Sequence, residues 1–271
     1  MKEKIMGKKI PETGLSHVEI EVAEKWLESI GVDNDWLLES KNRDYLRMRI
    51  KNTAYHEAGH FAAKMFTGLE LSNTQLLSII PNEDTLGRMK CERSYTEASL
   101  EQLPFELQIT NGLRLLMEQY AGYATTMILG KSEYKTLLKY LWAEEEEEMY
   151  DHINETSDLN RARRICRILA IHYMPEARIH RLARGWTLEM LRIPEVWNAV
   201  ETVAELLISK GEITNDKNEL SDLIDFLNVK SIFVIPKWKR RILPQRLSGI
   251  HSPSLKQDHV LETLPSVRKR Q

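Results

Sequence analysis

Two histidines four residues apart lie within a long continuous helical pattern of this chain. Apolar residues recur at helical spacing from about Tyr45 to Phe66, and Gly68 follows as a natural helix terminator. His56 and His60 fall inside this helix. Because helix positions four residues apart lie one turn above each other, the two imidazoles must project from the same face. The pattern therefore constrains both the local fold and the placement of two polar rings.

The pair of histidines is typical of a metal site. Two imidazole nitrogens on one helical turn can each lie about 2.0–2.1 Å from a single zinc ion. Glu57 projects beside them, and residues 56–60 read HEAGH, a match to HExxH. In such sites zinc lowers the pKa of a water toward about 7, and the glutamate accepts the proton as the water attacks a carbonyl. We therefore predict His56 and His60 as metal ligands and Glu57 as a general base. The competing interpretation is a helix whose histidines only pack or face solvent.

A catalytic zinc needs a third protein ligand, and the residues themselves leave several candidates open. The downstream candidates are Asp151, His152, Glu155 and Asp158. Asp158 falls in the first turn of a predicted helix that Thr156 or Ser157 can cap, and an aspartate there commonly serves the helix dipole. Spacing alone does not choose among the four.

The other apolar patterns predict a mainly α fold with a small β element beside the HEAGH helix. The run from Gln75 to Ile80 ends at Pro81 and predicts a strand followed by a loop. Helical spacing predicts the other elements, at His17–Ile30, 107–129, 175–191, 194–209 and 219–227, with one more helix after Thr156 or Ser157.

Composition excludes several classes of partner. The 271 residues carry a formal charge of -2, so no whole-molecule field attracts nucleic acid or an anionic membrane. No stretch approaches the roughly 18 apolar residues that span a bilayer. Met1–Ile10 is rich in lysine but lacks the apolar core of a signal peptide. With only Cys91 and Cys166, the chain fits a reducing compartment. We predict a cytoplasmic protein without a membrane partner.

Two segments concentrate charge of one sign. Glu144–Glu148 is a run of five carboxylates, which we interpret as a solvated acidic surface without a chemical role. From Lys230 onward, ten Lys or Arg residues stand against Asp258 and Glu262. We predict a disordered tail there, with nucleic-acid binding as the weaker alternative. The predicted organisation is an N-terminal helical extension at 1–42, a peptidase-like domain at 43–229 and a basic tail at 230–271.

Several segments together resemble one family. Tyr55–Ala63, which reads YHEAGHFAA, is similar to the proteolytic domain of the FtsH family, the AAA+ zinc proteases of bacteria, mitochondria and chloroplasts. The likeness covers about residues 54–225. Its further segments follow in order along the chain, at Ser78–Pro81, Leu86–Gly87, Ala121–Ala124, Thr156–Ala162 and Trp197–Val200.

The resemblance implies a third ligand. In the family an aspartate within a segment of the form S-x-D-L-x-x-A completes the zinc site, and Thr156–Ala162 resembles that segment with Asp158 at the ligand position. The implied site is one zinc ion held by His56, His60 and Asp158. The implied fold is a helical zinc-metallopeptidase-like domain.

The chain also departs from the family. The family joins this domain to an ATPase motor, which we do not find here. Gly130-Lys131-Ser132 does not form a phosphate loop, because Thr125 stands where that loop requires glycine, so we predict no ATP binding. Asn82 stands where the family commonly has arginine, and Thr125 and Thr126 fall where it commonly has acidic residues.

These observations predict a stand-alone, ATP-independent zinc metalloendopeptidase that hydrolyses extended or unfolded polypeptide. We expect the substrate to pair with the predicted strand at Leu77, Ser78 and Ile79 by strand addition. The alternative is a weakly active or inactive peptidase-like module that binds a protein partner or regulates a full-length protease. The oligomeric state stays open.

Overall fold

Helices make up most of the architecture, as predicted. The computed structural model describes residues 14–69, 74–81, 87–91, 100–130, 158–170, 175–216 and 218–227. Within these ranges a short 3-10 helix lies at Asn34–Leu38, and three short strands form one sheet. The α-helices of the described residues are α1 (His17–Ile30), α2 (Ser40–Thr67), α3 (Phe105–Leu129), α4 (Asp158–Ala170), α5 (Glu176–Leu191), α6 (Pro194–Lys210) and α7 (Glu219–Leu227).

Local sequence signals fix both ends of α1. The Ser16 side chain accepts from the Glu19 amide, and the Glu19 carboxylate accepts from the Ser16 amide at 2.6 Å, which is a capping box. At the other end Gly31 adopts a left-handed conformation with φ 69° and closes the last turn. The predicted span His17–Ile30 is therefore confirmed.

Helix α2 is the central element, and it packs against α3 and α6. Its second half, from Glu57 to Thr67, is buried on every side, as expected of a core helix. The small residues Ala58, Gly59, Ala62 and Ala63 let neighbouring helices approach. A β-carbon at Gly59 would lie only 2.7 Å from the carbonyl oxygen of Ala121, so the α2 and α3 backbones approach closely there.

The sheet lies beside α2 and has the order β2-β1-β3, with β1 (Thr74–Ser78), β2 (Arg88–Cys91) and β3 (Glu212–Thr214). Both pairings are antiparallel. Leu77 of β1 faces Met89 of β2 on one side and Ile213 of β3 on the other. The predicted strand is thus present as β1, and it is the central strand of the three.

The element predictions hold closely, apart from the ends of α2 and two short strands. Helix α2 begins at Ser40, earlier than the expected Tyr45 and inside the predicted N-terminal extension of 1–42. Strands β2 and β3 were not predicted. Among the described residues, no helix combines the length and the apolar character needed to cross a bilayer. The acidic run at 144–148 and the basic tail at 230–271 lie outside the described residues.

Candidate metal centre

Helices α2 and α4 bring three side chains to one point. The Nε2 atoms of His56 and His60 lie 3.0 Å apart. Asp158, the first residue of α4, places Oδ2 3.1 Å from Nε2 of His56 and 2.9 Å from Nε2 of His60. The three predicted ligands therefore converge, although Asp158 lies 98 residues beyond His60 in the chain.

A backbone contact fixes the proton on His60. Its Nδ1 lies 2.7 Å from the carbonyl oxygen of Glu118 on α3, and a carbonyl only accepts, so Nδ1 carries the hydrogen. The Nε2 atom of the neutral ring then presents a lone pair toward His56 and Asp158. A lone pair facing a carboxylate oxygen is repulsive unless a proton or a cation lies between them. This orientation of a histidine through its other nitrogen is the usual arrangement in metal sites.

The surrounding charges favour positive charge at this point. Burial lowers the pKa of His60, but the negative charge of Asp158 and its hydrogen bond outweigh burial and raise the pKa to about 10. Burial also favours the neutral form of Asp158, yet the imidazoles of His60 and His56 hold the pKa of that carboxyl well below its usual range. A shared divalent cation would satisfy both groups.

The donor set fits a zinc ion. Two ligand atoms, each about 2.05 Å from a tetrahedral zinc ion, lie about 3.3 Å apart, and the three separations here are within about 0.4 Å of that value. Two imidazoles and one carboxylate are ligands that zinc accepts, and they leave a fourth position for water or substrate. The side chains of His56 and Asp158 are 31% and 33% exposed, so the group of ligands is accessible from solvent.

Gly122 on α3 provides the space in front of the imidazoles. A β-carbon at this position would lie 2.7 Å from Nε2 of His56 and 2.8 Å from its Cε1, and it would also meet Nε2 of His60. Any side chain would occupy the place where the ligand nitrogens meet. The geometry of the site therefore requires glycine at position 122. The sequence analysis had named Gly122 only within Ala121–Ala124, a segment that resembles the family, and had given it no role.

Glu57 lies against the strand side of the centre. It is 6% exposed, and a β-carbon at Gly87 would lie 2.9 Å from its Oε1. Burial raises the pKa of Glu57, the charges of His60 and His56 partly offset this rise, and Asp158 adds to it. A carboxylate whose pKa is raised is suited to accept a proton and return it.

The strand residues predicted to bind substrate are placed differently from the expectation. Leu77, Ser78 and Ile79 are buried, and Leu77 and Ser78 pair with β2 on one side and β3 on the other. The Ile79 amide donates to the Gly211 carbonyl at 2.9 Å. Strand β1 therefore offers no free edge at Leu77 and Ser78, where neighbouring strands pair with it on both sides.

Two residues of the site were not predicted as site residues, although Gly87 belongs to Leu86–Gly87, a segment that resembles the family. Glu118 contributes a carbonyl oxygen, which any residue type can supply, so no sequence signal marks it. Gly87 had a weak signal, because it follows a turn-forming stretch next to the predicted strand. The alternative third ligands Asp151, His152 and Glu155 lie outside the described residues.

Comparisons with known proteins assign no family to this chain. No family model matches the chain, and a search of curated proteins found no match. The likeness to the FtsH family stays a prediction carried by the motifs. What the structure supports directly is a group of His56, His60 and Asp158 that could hold a metal ion.

Proposed function

We propose that this chain is a zinc-dependent peptidase in which His56, His60 and Asp158 hold the ion and Glu57 is the general base. The observation that carries the proposal is the meeting of three ligand atoms, 2.9–3.1 Å apart, from helices distant in sequence. The HExxH spacing supports a peptidase among zinc enzymes, because its glutamate lies beside the ligands.

Each residue has a defined part in hydrolysis. When bound, zinc polarises the substrate carbonyl and lowers the pKa of a water to about 7. Glu57 accepts the proton of the attacking water and delivers it to the leaving amine. His60 is held in one tautomer by the Glu118 carbonyl, and Asp158 would offset one of the two positive charges of the ion.

The sheet suggests how an extended substrate binds. Strand β2 is an outer strand of the described sheet, and it starts directly after Gly87, where a β-carbon would lie 2.9 Å from Oε1 of Glu57. A peptide that adds to the outer edge of β2 would run past the general base. We therefore place substrate pairing at Arg88–Cys91 and not at β1.

The proposal is tested by metal analysis together with cleavage of an unstructured casein-like substrate. We expect one zinc per wild-type chain and loss of zinc from His56→Ala and Asp158→Asn. Glu57→Gln should keep zinc and lose cleavage by at least about a hundredfold, the scale of a general base. Glu24→Gln, at an exposed position of α1, is the matched control and should cleave as wild type does. A wild-type protein that binds no zinc would contradict the proposal.

A second candidate function is a peptidase-like module that binds a polypeptide without cleaving it. The burial of Glu57, which is 6% exposed, favours this alternative, because a general base must reach the water of the substrate complex. The two functions separate in one comparison. Equal peptide binding by wild type and Glu57→Gln, with no turnover by either, selects the binding module.

A further inference from the structure

Strand β2 has an inner, apolar face that lies toward α2. Met89 aligns with Leu77 of β1, Leu77 aligns with Ile213 of β3, and both Leu77 and Ile213 are buried. A β-carbon at Gly87, two residues before Met89, would lie 2.6 Å from Cγ2 of Thr53 on α2. Because successive side chains of a strand point to opposite faces, position 87 and Met89 share this inner face.

The outward face of β2 carries two cations. Arg88 and Lys90 are exposed and stand at alternate positions on either side of Met89. The exposed Glu212 of β3 belongs to the same face, because it aligns with Ser78 as Arg88 does. Two strand spacings, about 9.5 Å, separate Glu212 from Arg88, and salt largely screens exposed charges at that distance. The outer edge of β2 is therefore locally positive on its outward face.

A peptide strand that adds to the outer edge of β2 must place its own side chains on the same two faces. Its outward side chains come next to Arg88 and Lys90, and the side chain between them comes next to Met89. Cross-strand neighbours of opposite charge stabilise a sheet, whereas like charges destabilise it. Since the whole chain has a formal charge of -2, its net charge does not attract a negative peptide. Any such preference must arise locally, at this edge.

We propose that Arg88 and Lys90 select extended peptides in which two acidic residues flank one apolar residue, as in Glu-Leu-Glu. The inference rests on the proposed function, because it takes β2 as the edge to which substrate adds. The peptide residue opposite Gly87 lies beside Glu57, so the two acidic residues are one and three positions away from it. Arg88 and Lys90 thus determine specificity and leave bond cleavage to the metal centre.

The first experiment changes only the substrate. Zinc-loaded wild type is given three unstructured peptides of equal length that differ in one triplet: Glu-Leu-Glu, Gln-Leu-Gln or Lys-Leu-Lys. We expect kcat/KM to decrease in this order, by about two- to thirtyfold between the first two peptides, the scale of two cross-strand charge pairs. The difference should lie in KM and shrink as salt rises, because both cations are exposed. Equal kcat/KM for all three peptides would overturn the inference and leave the proposed function intact.

The second experiment reverses the charge of the edge. The double variant Arg88→Glu/Lys90→Glu should prefer Lys-Leu-Lys over Glu-Leu-Glu. The milder Arg88→Gln/Lys90→Gln should cleave all three peptides equally, and it serves if the first variant does not fold. The matched control is Arg178→Glu/Arg181→Glu, which makes the same change in net charge at exposed positions of α5 and should keep the wild-type preference. An unchanged preference in the β2 variants, or the same reversal in the control, would contradict a role for this edge.

A binding measurement separates this inference from the proposed function. Fluorescence anisotropy of the labelled peptides on zinc-loaded Glu57→Gln requires no turnover. If wild type cleaves none of the peptides, the proposed peptidase fails, and tighter binding of Glu-Leu-Glu than of Lys-Leu-Lys still supports selection by Arg88 and Lys90. Equal binding of the two peptides would overturn that selection, whatever the activity of wild type.

Discussion

At the scale of single residues, the metal centre depends on the absence of a side chain at Gly122 as much as on its three ligands. The imidazoles of His56 and His60 approach the α3 backbone so closely that only glycine fits at position 122. Sequence reasoning found the histidines and Glu57, because HExxH encodes its own geometry on a helix. It could not predict the Glu118 carbonyl, because every residue type has the same backbone carbonyl oxygen.

Gly122→Ala is the sharpest test at this scale. The added methyl group must displace the ligand nitrogens, so we expect zinc affinity to fall by at least about tenfold, with a stability loss of about 1–3 kcal/mol from overpacking. Isothermal calorimetry and denaturant unfolding measure the two effects. The control is Gly185→Ala on α5, where a β-carbon meets nothing within 4 Å. There the better helix propensity of alanine should stabilise the protein by up to about 1 kcal/mol, with zinc affinity unchanged.

At the scale of elements, α2 and α3 define the site by their close approach. Periodicity predicted both helices and the helix that begins near Asp158, because each buries one face over several turns. Strands β2 and β3 are only four and three residues long, too short to show an alternating pattern. Their pairing with β1 is a tertiary contact, so the sequence did not reveal that β1 is central. The expected substrate pairing at β1 therefore took no account of the two strands beside it.

Gly59→Ala tests the contact between the two helices. A β-carbon there would lie 2.7 Å from the Ala121 carbonyl oxygen and would also meet the Thr125 hydroxyl. Overpacking costs about 1–3 kcal/mol, and the better helix propensity of alanine returns up to about 1 kcal/mol of it. We expect net destabilisation, measured by urea unfolding, together with weaker zinc binding. A variant as stable as wild type would show that α2 and α3 do not approach this closely.

At the scale of the whole molecule, protonation of the centre is linked to folding. In the metal-free protein the charge of Asp158 raises the pKa of His60 from its ordinary value of 6.5 to about 10. The stability from this proton is complete below pH 6.5 and is lost as the pH rises toward 10. Asp158 acts in the opposite sense, because its lowered pKa gives stability that is lost only as the pH falls through the acid range.

The melting temperature of the metal-free protein should therefore fall between pH 6.5 and 10. Circular dichroism in the presence of a chelator measures this fall. A His60→Asn variant lacks the titrating group and should show a shallower slope over the same range. A metal-free wild type whose melting temperature is constant across this interval would contradict the linkage.

Bound zinc should also stabilise the folded chain by mass action. At a free zinc concentration about a hundredfold above the dissociation constant, the expected gain is about 2.7 kcal/mol. Thermal unfolding at several zinc concentrations measures it, and Asp158→Asn should lose most of the gain. Equal stabilisation of both proteins would place the bound zinc elsewhere.

The ligands of the centre come from two distant parts of the chain, two of them from α2 and one from α4. His56 and His60 share one helical turn and can meet an ion as soon as α2 forms, whereas Asp158 arrives only when α4 has docked. An ion bound early by the two histidines would gain Asp158 as its third ligand only later. It would then link segments that lie 98 residues apart in the chain. During refolding in the presence of zinc, the ion should thus be bound weakly at first and tightly only after α4 has docked.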